Sequence, residues 1–160
     1  MPLCNPTELK PLLPAGTRLL GLDVGTKTIG MALSDTTHII ATPLDTIRRT
    51  RFRDDLKRLL DEIARHKIAG IVIGLPLSLE GSDSPRTQGV RQFAKNLMGH
   101  TALPIVFWDE RLSTAAVERG MIEADLSRRR RAELIDKAAA AYILQGLLDH
   151  LNHGRRAIFD

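Results

Sequence analysis

The sequence predicts an α/β fold: a five-stranded mixed sheet, three strands in a meander and two in alternation with helices, with helices on both faces. Three observations carry this. Three short apolar runs follow one another between residues 17 and 47, joined by turns short enough for antiparallel pairing. Two later apolar runs, at 68–75 and 103–108, alternate with segments of helical period. The 160 residues, 43% hydrophobic and 26% charged, suit one domain with one core and contain no internal repeat or linker.

In chain order, residues 1–16 read as a flexible leader, because Pro2, Pro6, Pro11 and Pro14 interrupt any periodicity. Thr17–Val24 is a buried strand, Gly25-Thr26-Lys27 a turn, and Thr28–Ser34 a second strand. Asp35-Thr36-Thr37 turns again into a third strand, His38–Ile47, which Pro43 places at an edge or a bend. Phe52, Leu56, Leu59, Leu60 and Ile63 then recur at helical spacing. Ile68–Leu75 is near-continuously apolar, the pattern of a strand covered on both faces. Ser84-Pro85 starts a helix, Ser as cap and Pro in the first turn, with Val90, Phe93, Ala94, Leu97 and Met98 as its stripe. Leu103–Trp108 is the fifth strand. Ser113 caps a short helix through Ala124, Asp125–Arg131 is a loop or frayed helix start, and Ala132–Leu151 is the strongest helix, completing a domain over 17–151 with 152–160 as a tail. A right-handed crossover sets the fourth strand parallel to the first. The carboxyl ends of strands one, four and five then share an edge, where open α/β sheets gather ligands.

Composition narrows the functional classes. No run approaches the roughly 18 apolar residues of a spanning helix, and the N-terminal residues lack a secretory pattern. Cys4 is the single cysteine, which excludes an internal disulfide and a cysteine-rich zinc site and points to an intracellular setting. The histidines show no zinc spacing. Lys plus Arg number 23 against 19 Asp plus Glu, for a net charge of +4, a balance compatible with a nucleic-acid partner. Arg128, Arg129, Arg130 and Arg131 form an unbroken run, and Arg48, Arg49, Arg51 and Arg53 a looser cluster.

The shared edge holds the candidate chemistry. Asp23 ends an apolar central strand, where a carboxylate is costly unless paired; a turn aspartate bonding Gly25-Thr26 is the plainer reading. Asp109 and Glu110 follow strand five and point to opposite faces, so one of them can enter a shared site. Asp136 begins a stripe continued by Ala140, Ile143 and Leu147, which turns it toward protein. Inward carboxylates suit hard cations, Mg²⁺ or Mn²⁺, and a metal pair about 4 Å apart suits phosphodiester hydrolysis. Arg111 can bridge to the acidic pair or reach a scissile phosphate. The 128–131 run is expected to be a mobile, solvated segment that orders on nucleic-acid phosphates. Gly81-Ser82-Asp83-Ser84 reads as a loop and cap before it reads as a phosphate-binding turn, and Trp108 as core.

Four motifs together resemble a known family: LDVGTKTIGMALSD at 22–35, VIGLPLSLEGSDSPRT at 72–87, WDERLSTAAV at 108–117 and IDKAAAAYILQ at 135–145. They resemble the YqgF/RuvX family, Holliday-junction-resolvase-like proteins also described as pre-16S rRNA nucleases. The resemblance implies a ribonuclease H-like fold and a cytoplasmic divalent-metal nuclease acting at the 5′ end of small-subunit pre-rRNA. It puts the family's DxG aspartate on Asp23, its acidic pair on Asp109 and Glu110, and its final-helix aspartate on Asp136. Glu110 is taken before Asp109 as metal ligand, with Lys27, Arg111 and Arg128–Arg131 as expected substrate contacts. Three other readings compete: a resolvase of branched DNA, a non-catalytic RNA-binding assembly factor, and a nucleotide binder. The last arises because DVGTKT also resembles the phosphate loop of the actin and sugar-kinase superfamily. Those proteins hold ATP between two such domains, and 160 residues make only one.

Overall fold

Strand parity sets the architecture. The computed structural model describes residues 5–78, 80–112 and 128–152, and side chains within these except for 128–134. The strands are β1 (Arg18–Val24), β2 (Thr28–Ser34), β3 (Ala41–Arg48), β4 (Ile68–Leu75) and β5 (Ile105–Asp109), in the sheet order β3-β2-β1-β4-β5. The meander is antiparallel, β4 runs parallel to β1, and β5 runs parallel to β4. Alternate residues serve opposite faces. Leu20, Leu22 and Val24 of β1, Ile29 and Met31 of β2, and Ile71 and Ile73 of β4 build one core. Two helices close it, α2 (Phe52–Arg65) with Leu56 and Leu59, and α3 (Pro85–Met98) with Val90, Phe93 and Leu97. Leu19, Ala32, Val72, Val106 and Trp108 point the other way, against Ala140, Ile143, Leu144, Leu147 and Leu148 of the last helix. That helix, α4, spans Arg128–Leu151 (a one-turn helix, α1, spans Pro6–Leu9). Pro43 lies on edge strand β3, beside a register shift opposite Met31 and Ala32, as its missing N–H requires.

Glycine decides how near α4 lies. A Cβ on Gly30 would stand 2.0 Å from the Asp136 carbonyl oxygen, one on Gly21 2.8 Å from Leu144 Cβ, and one on Gly74 2.3 Å from Ile143 Cδ1. The bare backbone of the sheet thus forms the bed of the helix. From the helix side, Gly146 admits the Trp108 ring, whose Nε1 is 2.7 Å from where a Cβ would be.

Four expectations are corrected. The leader is ordered from Asn5 on: α1 and a 3-10 turn at Lys10–Leu12 seat a fully buried Leu9 beside Leu19 and Leu148. Gly70 makes room for it, since its Cβ would be 3.2 Å from Leu9 Cδ1 and 3.5 Å from Leu13 Cδ2. β3 starts at Ala41, not His38, because Asp35 accepts hydrogen bonds from the Ile39 and Ile40 amides at 2.8 and 3.0 Å and folds those residues into a turn. Burial works against the Asp35 charge, but these amides and the Thr37 hydroxyl hold its pKa down to about 2. β5 starts after Pro104 and not at Leu103. α4 starts at Arg128, so the arginine run has a helical backbone where a loop or frayed start was expected; arginine, alanine and leucine are all good helix formers. The helix expected over 113–124, and residues 125–127, lie outside the described residues.

Gly30→Ala must push the α4 backbone off the sheet. It should cost about 3 kcal/mol, or roughly 6–12 °C in Tm. Gly89, inside α3, has no atom within 4 Å of a Cβ. Gly89→Ala should therefore stabilise by about 0.5–1 kcal/mol. Thermal melts of the two variants check both values, and equal melting of Gly30→Ala and wild type would contradict the packing.

Candidate active site

The parity that builds the α4 core also places the carboxylates. On β1, Leu19 and Gly21 face α4, and so does Asp23, paired in register with Gly30 at the end of the strand. On β5, Val106 and Trp108 face α4. Glu110 continues that alternation, and its Oε1 lies 3.0 Å from where a Gly74 Cβ would be, next to Ile143. On α4, Asp136 heads a stripe whose Ala140, Ile143 and Leu147 are fully buried. Thr28 Oγ1 donates a hydrogen bond to Asp136 Oδ2. Asp23, Glu110 and Asp136 thus occupy one face of the sheet at the carboxyl ends of β1, β4 and β5.

Asp23 and Asp136 have different partners. Asp23 is 2% exposed, and Arg86 Nη2 reaches in from the first turn of α3 to 3.5 Å from its Oδ1. A charge taken out of water this far depends on such a partner. The β1–β2 turn beside it is closed by the Gly25 amide donating to the Thr28 carbonyl at 2.8 Å, and Arg49 Nη1 donates to the Gly25 carbonyl at 2.7 Å. Among the described residues no three His, Cys, Asp or Glu side chains form a group that could hold a metal ion. Asp23, Glu110 and Asp136 share that edge of the sheet without forming such a group. Asp136 is bonded by Thr28 and Asp23 is reached by Arg86.

Asp109 lies apart from this group. Arg111 Nε donates to both of its oxygens at 3.0 and 2.9 Å, and the Arg111 amide donates to its Oδ1 at 3.0 Å. These hydrogen bonds hold the Asp109 carboxyl below its ordinary range, and they raise the Arg111 pKa in turn. Lys27 is exposed in the β1–β2 turn, and its carbonyl accepts from the Arg49 amide at 2.9 Å. The side chains of Arg128, Arg129, Arg130 and Arg131 lie outside the described residues. The 81–84 segment is a loop and cap. Ser84 caps α3 by accepting from the Thr87 amide at 3.2 Å, and Asp83 pairs with Arg91 at 2.8 Å. Trp108 is core, 7% exposed.

Sequence reasoning missed Thr28 and Arg86. Thr28 carried a readable signal, since it shares the face of Gly30. Arg86 carried a weaker one, its place in the first turn of the helix that follows β4.

A sequence profile described as RuvX: Holliday junction resolvase matches residues 17–150, which include all five strands and every carboxylate above. A protein of Paramagnetospirillum magneticum named "Putative pre-16S rRNA nuclease" is 56% identical over 94% of this chain and 97% of its own. A protein of the same name from Rhodobacter capsulatus is 60% identical over 91% of each chain. Among solved structures, Thermus thermophilus RuvC with a Holliday junction substrate superposes with a TM-score of 0.51 at 12% identity, covering 87% of this chain and 96% of that one. The yeast mitochondrial Holliday junction resolvase gives 0.52, also at 12% identity, over 92% and 85%. At such identities the superpositions speak for the fold alone, the ribonuclease H-like one. The profile match over the whole strand-and-carboxylate framework, with relatives above half identity, goes further: this chain belongs to the RuvX family.

Proposed function

We propose that this protein is a divalent-metal-dependent nuclease that hydrolyses phosphodiester bonds in pre-16S rRNA, at the 5′ end of the small-subunit rRNA, in the cytoplasm. The observation that carries the reading is Asp23: a carboxylate 2% exposed at the end of the central strand, on the same face as Glu110 and Asp136. A purely structural role does not account for three acids gathered there. The relatives' shared name supplies the substrate.

The donor set fits a hard cation. Asp23, Glu110 and Asp136 offer carboxylate oxygens only, the chemistry of Mg²⁺ or Mn²⁺ and not of zinc. These three would hold the metal, which when bound supplies an activated water and neutralises charge developing on the phosphoryl oxygens. The protein's own groups do the rest. Burial of Asp23 keeps bulk water from screening it. Arg86, 42% exposed on its side chain, is placed to exchange its contact with Asp23 for a substrate phosphate. Arg111 grips Asp109 and so positions the turn that carries Glu110. Lys27 and Arg128–Arg131 supply contacts to phosphates farther along the strand. The resolvase reading rests on the family model's description and on likeness of fold, and a four-way DNA junction belongs in the same assay to test it.

Cleavage of a pre-rRNA 5′ leader should require Mg²⁺ or Mn²⁺, stop with EDTA, and fall on the order of a hundredfold or more in Asp23→Asn. Mg²⁺ should raise the Tm of wild type and not of that variant, through preferential binding to the folded state. Equal cleavage by both proteins would sink the assignment; normal rRNA maturation without Asp23 and Asp136 would turn it into an assembly factor.

Arg111→Ala should lower both activity and Tm at neutral pH. Asp109 has a folded pKa below its unfolded value of about 3.9, so the pair's contribution is complete above that pH. It disappears as pH falls through the depressed folded value. The Tm gap between wild type and Arg111→Ala should therefore close in acid, and unchanged melting at pH 7 would leave Arg111 a substrate contact only.

A further inference from the structure

On the side of the sheet opposite α4, between the β1–β2 turn, the start of α2 and the outer face of α3, lies a cavity of about 490 Å³ that the proposed metal chemistry does not use. Its floor is apolar and aromatic. Phe52 and Phe93 meet edge to face, ring centres 5.8 Å apart, and the Arg49 guanidinium lies 5.5 Å over the Phe93 ring. Arg49 is fixed there by its hydrogen bond to the Gly25 carbonyl. Arg86 lines the same cavity while reaching Asp23, so cavity and carboxylate share a wall. At the far rim Gln92 Nε2 donates to Asn96 Oδ1 at 2.9 Å. Gln92 still has a carbonyl oxygen to accept with, and Asn96 two N–H donors. Arg48, Arg51 and Arg53 are exposed close by, and acidic Asp55 is turned inward onto Thr50.

Aromatic faces, guanidinium groups and an amide pair make up the chemistry that binds an unstacked nucleobase with its phosphate. The volume lies within the roughly 300–1,000 Å³ of small-ligand sites. Val24 and Gly25, which follow Asp23 directly, form the near wall, so a strand held at Asp23 leads straight into the cavity. A base paired in a duplex is stacked on both sides and cannot enter. We infer that this cavity is a subsite for one unpaired nucleotide next to the scissile phosphate, which makes the protein selective for single-stranded nucleic acid at the cut. The inference rests on the nuclease reading for its orientation toward Asp23, while binding in the cavity can be measured without cleavage.

Gly89 permits a clean test. It lines the cavity, is exposed, and has no atom within 4 Å of a Cβ, so a side chain can start there without a clash at its root and extend into the cavity. The probes are a short fluorescein-labelled single-stranded RNA, the same strand as DNA, and the RNA duplex. Binding is read by anisotropy in EDTA with the full chain. Gly89→Leu should weaken single-strand binding about tenfold, leave the duplex unaffected, and keep or raise Tm, whereas Gly89→Ala should change affinity little. Asn96→Asp, at an exposed position, repeats the test by charge and should also weaken the single strand. Similar losses for the RNA and DNA strands support a base-and-phosphate subsite, and a larger loss for RNA adds the ribose 2′-hydroxyl to it. Undiminished single-strand affinity in both Gly89→Leu and Asn96→Asp would overturn the inference, and so would equal losses for single strand and duplex. Loss of cleavage in Asp23→Asn with no effect of Gly89→Leu would remove the subsite and keep the nuclease; the converse pattern would do the reverse.

Discussion

Helix α4 lies where it does because the sheet beneath it carries no side chains at Gly21, Gly30 and Gly74. With a Cβ at Gly30 only 2.0 Å from the Asp136 carbonyl, backbone rests nearly on backbone. Much else depends on that approach. It buries Ala140, Ile143, Leu144 and Leu147, it brings Asp136 within reach of the Thr28 hydroxyl, and it stacks Gly146 on Trp108. Glycine weakens a strand by giving up packing and chain entropy, so the glycines on this face of the sheet are a cost offset by what lies on top of them.

The same closeness creates an electrostatic problem at the carboxyl edge. Three acids face one way, one of them almost wholly out of water. The protein answers with local partners: Arg86 for Asp23 and Thr28 for Asp136. The fourth acid of the neighbourhood, Asp109, is tied off by Arg111 on the other side of β5, which leaves Glu110 as the member of its pair on the α4 face. Arg86 links the two sides of the sheet, since it touches Asp23 and also lines the cavity between α2 and α3.

Much of this was legible in the residues. Each of the five strands and the helices α2, α3 and α4 carries its own period, so their order and type follow from local pattern, and β4 and the Ser84 cap fall where the pattern puts them. Boundaries slipped where a side chain outside the pattern took control. The Asp35 carboxylate captured two amides that otherwise would have begun β3. The leader was unreadable for a related reason. Leu9 and Leu13 are two apolar residues among prolines, and only the gap above Gly70 gives them somewhere to go.

By itself, the sequence determined the α/β class, the order of the strands and of α2, α3 and α4, the inward turn of Asp136 and, through its motifs, the family. Alternation along a strand is a local property: it says that Asp109 and Glu110 oppose each other, and that Gly30 shares a face with Thr28. Which face is inside is not local, because it depends on where the next strand and helix pack. Tertiary structure therefore decided that Glu110 lies on the α4 face of the sheet beside Gly74, that Thr28 and Arg86 reach Asp136 and Asp23, and that α4 rests on glycine. The physical reason is the range of the forces involved: period and propensity act within a few residues, while burial and charge pairing act across whatever the fold brings into contact.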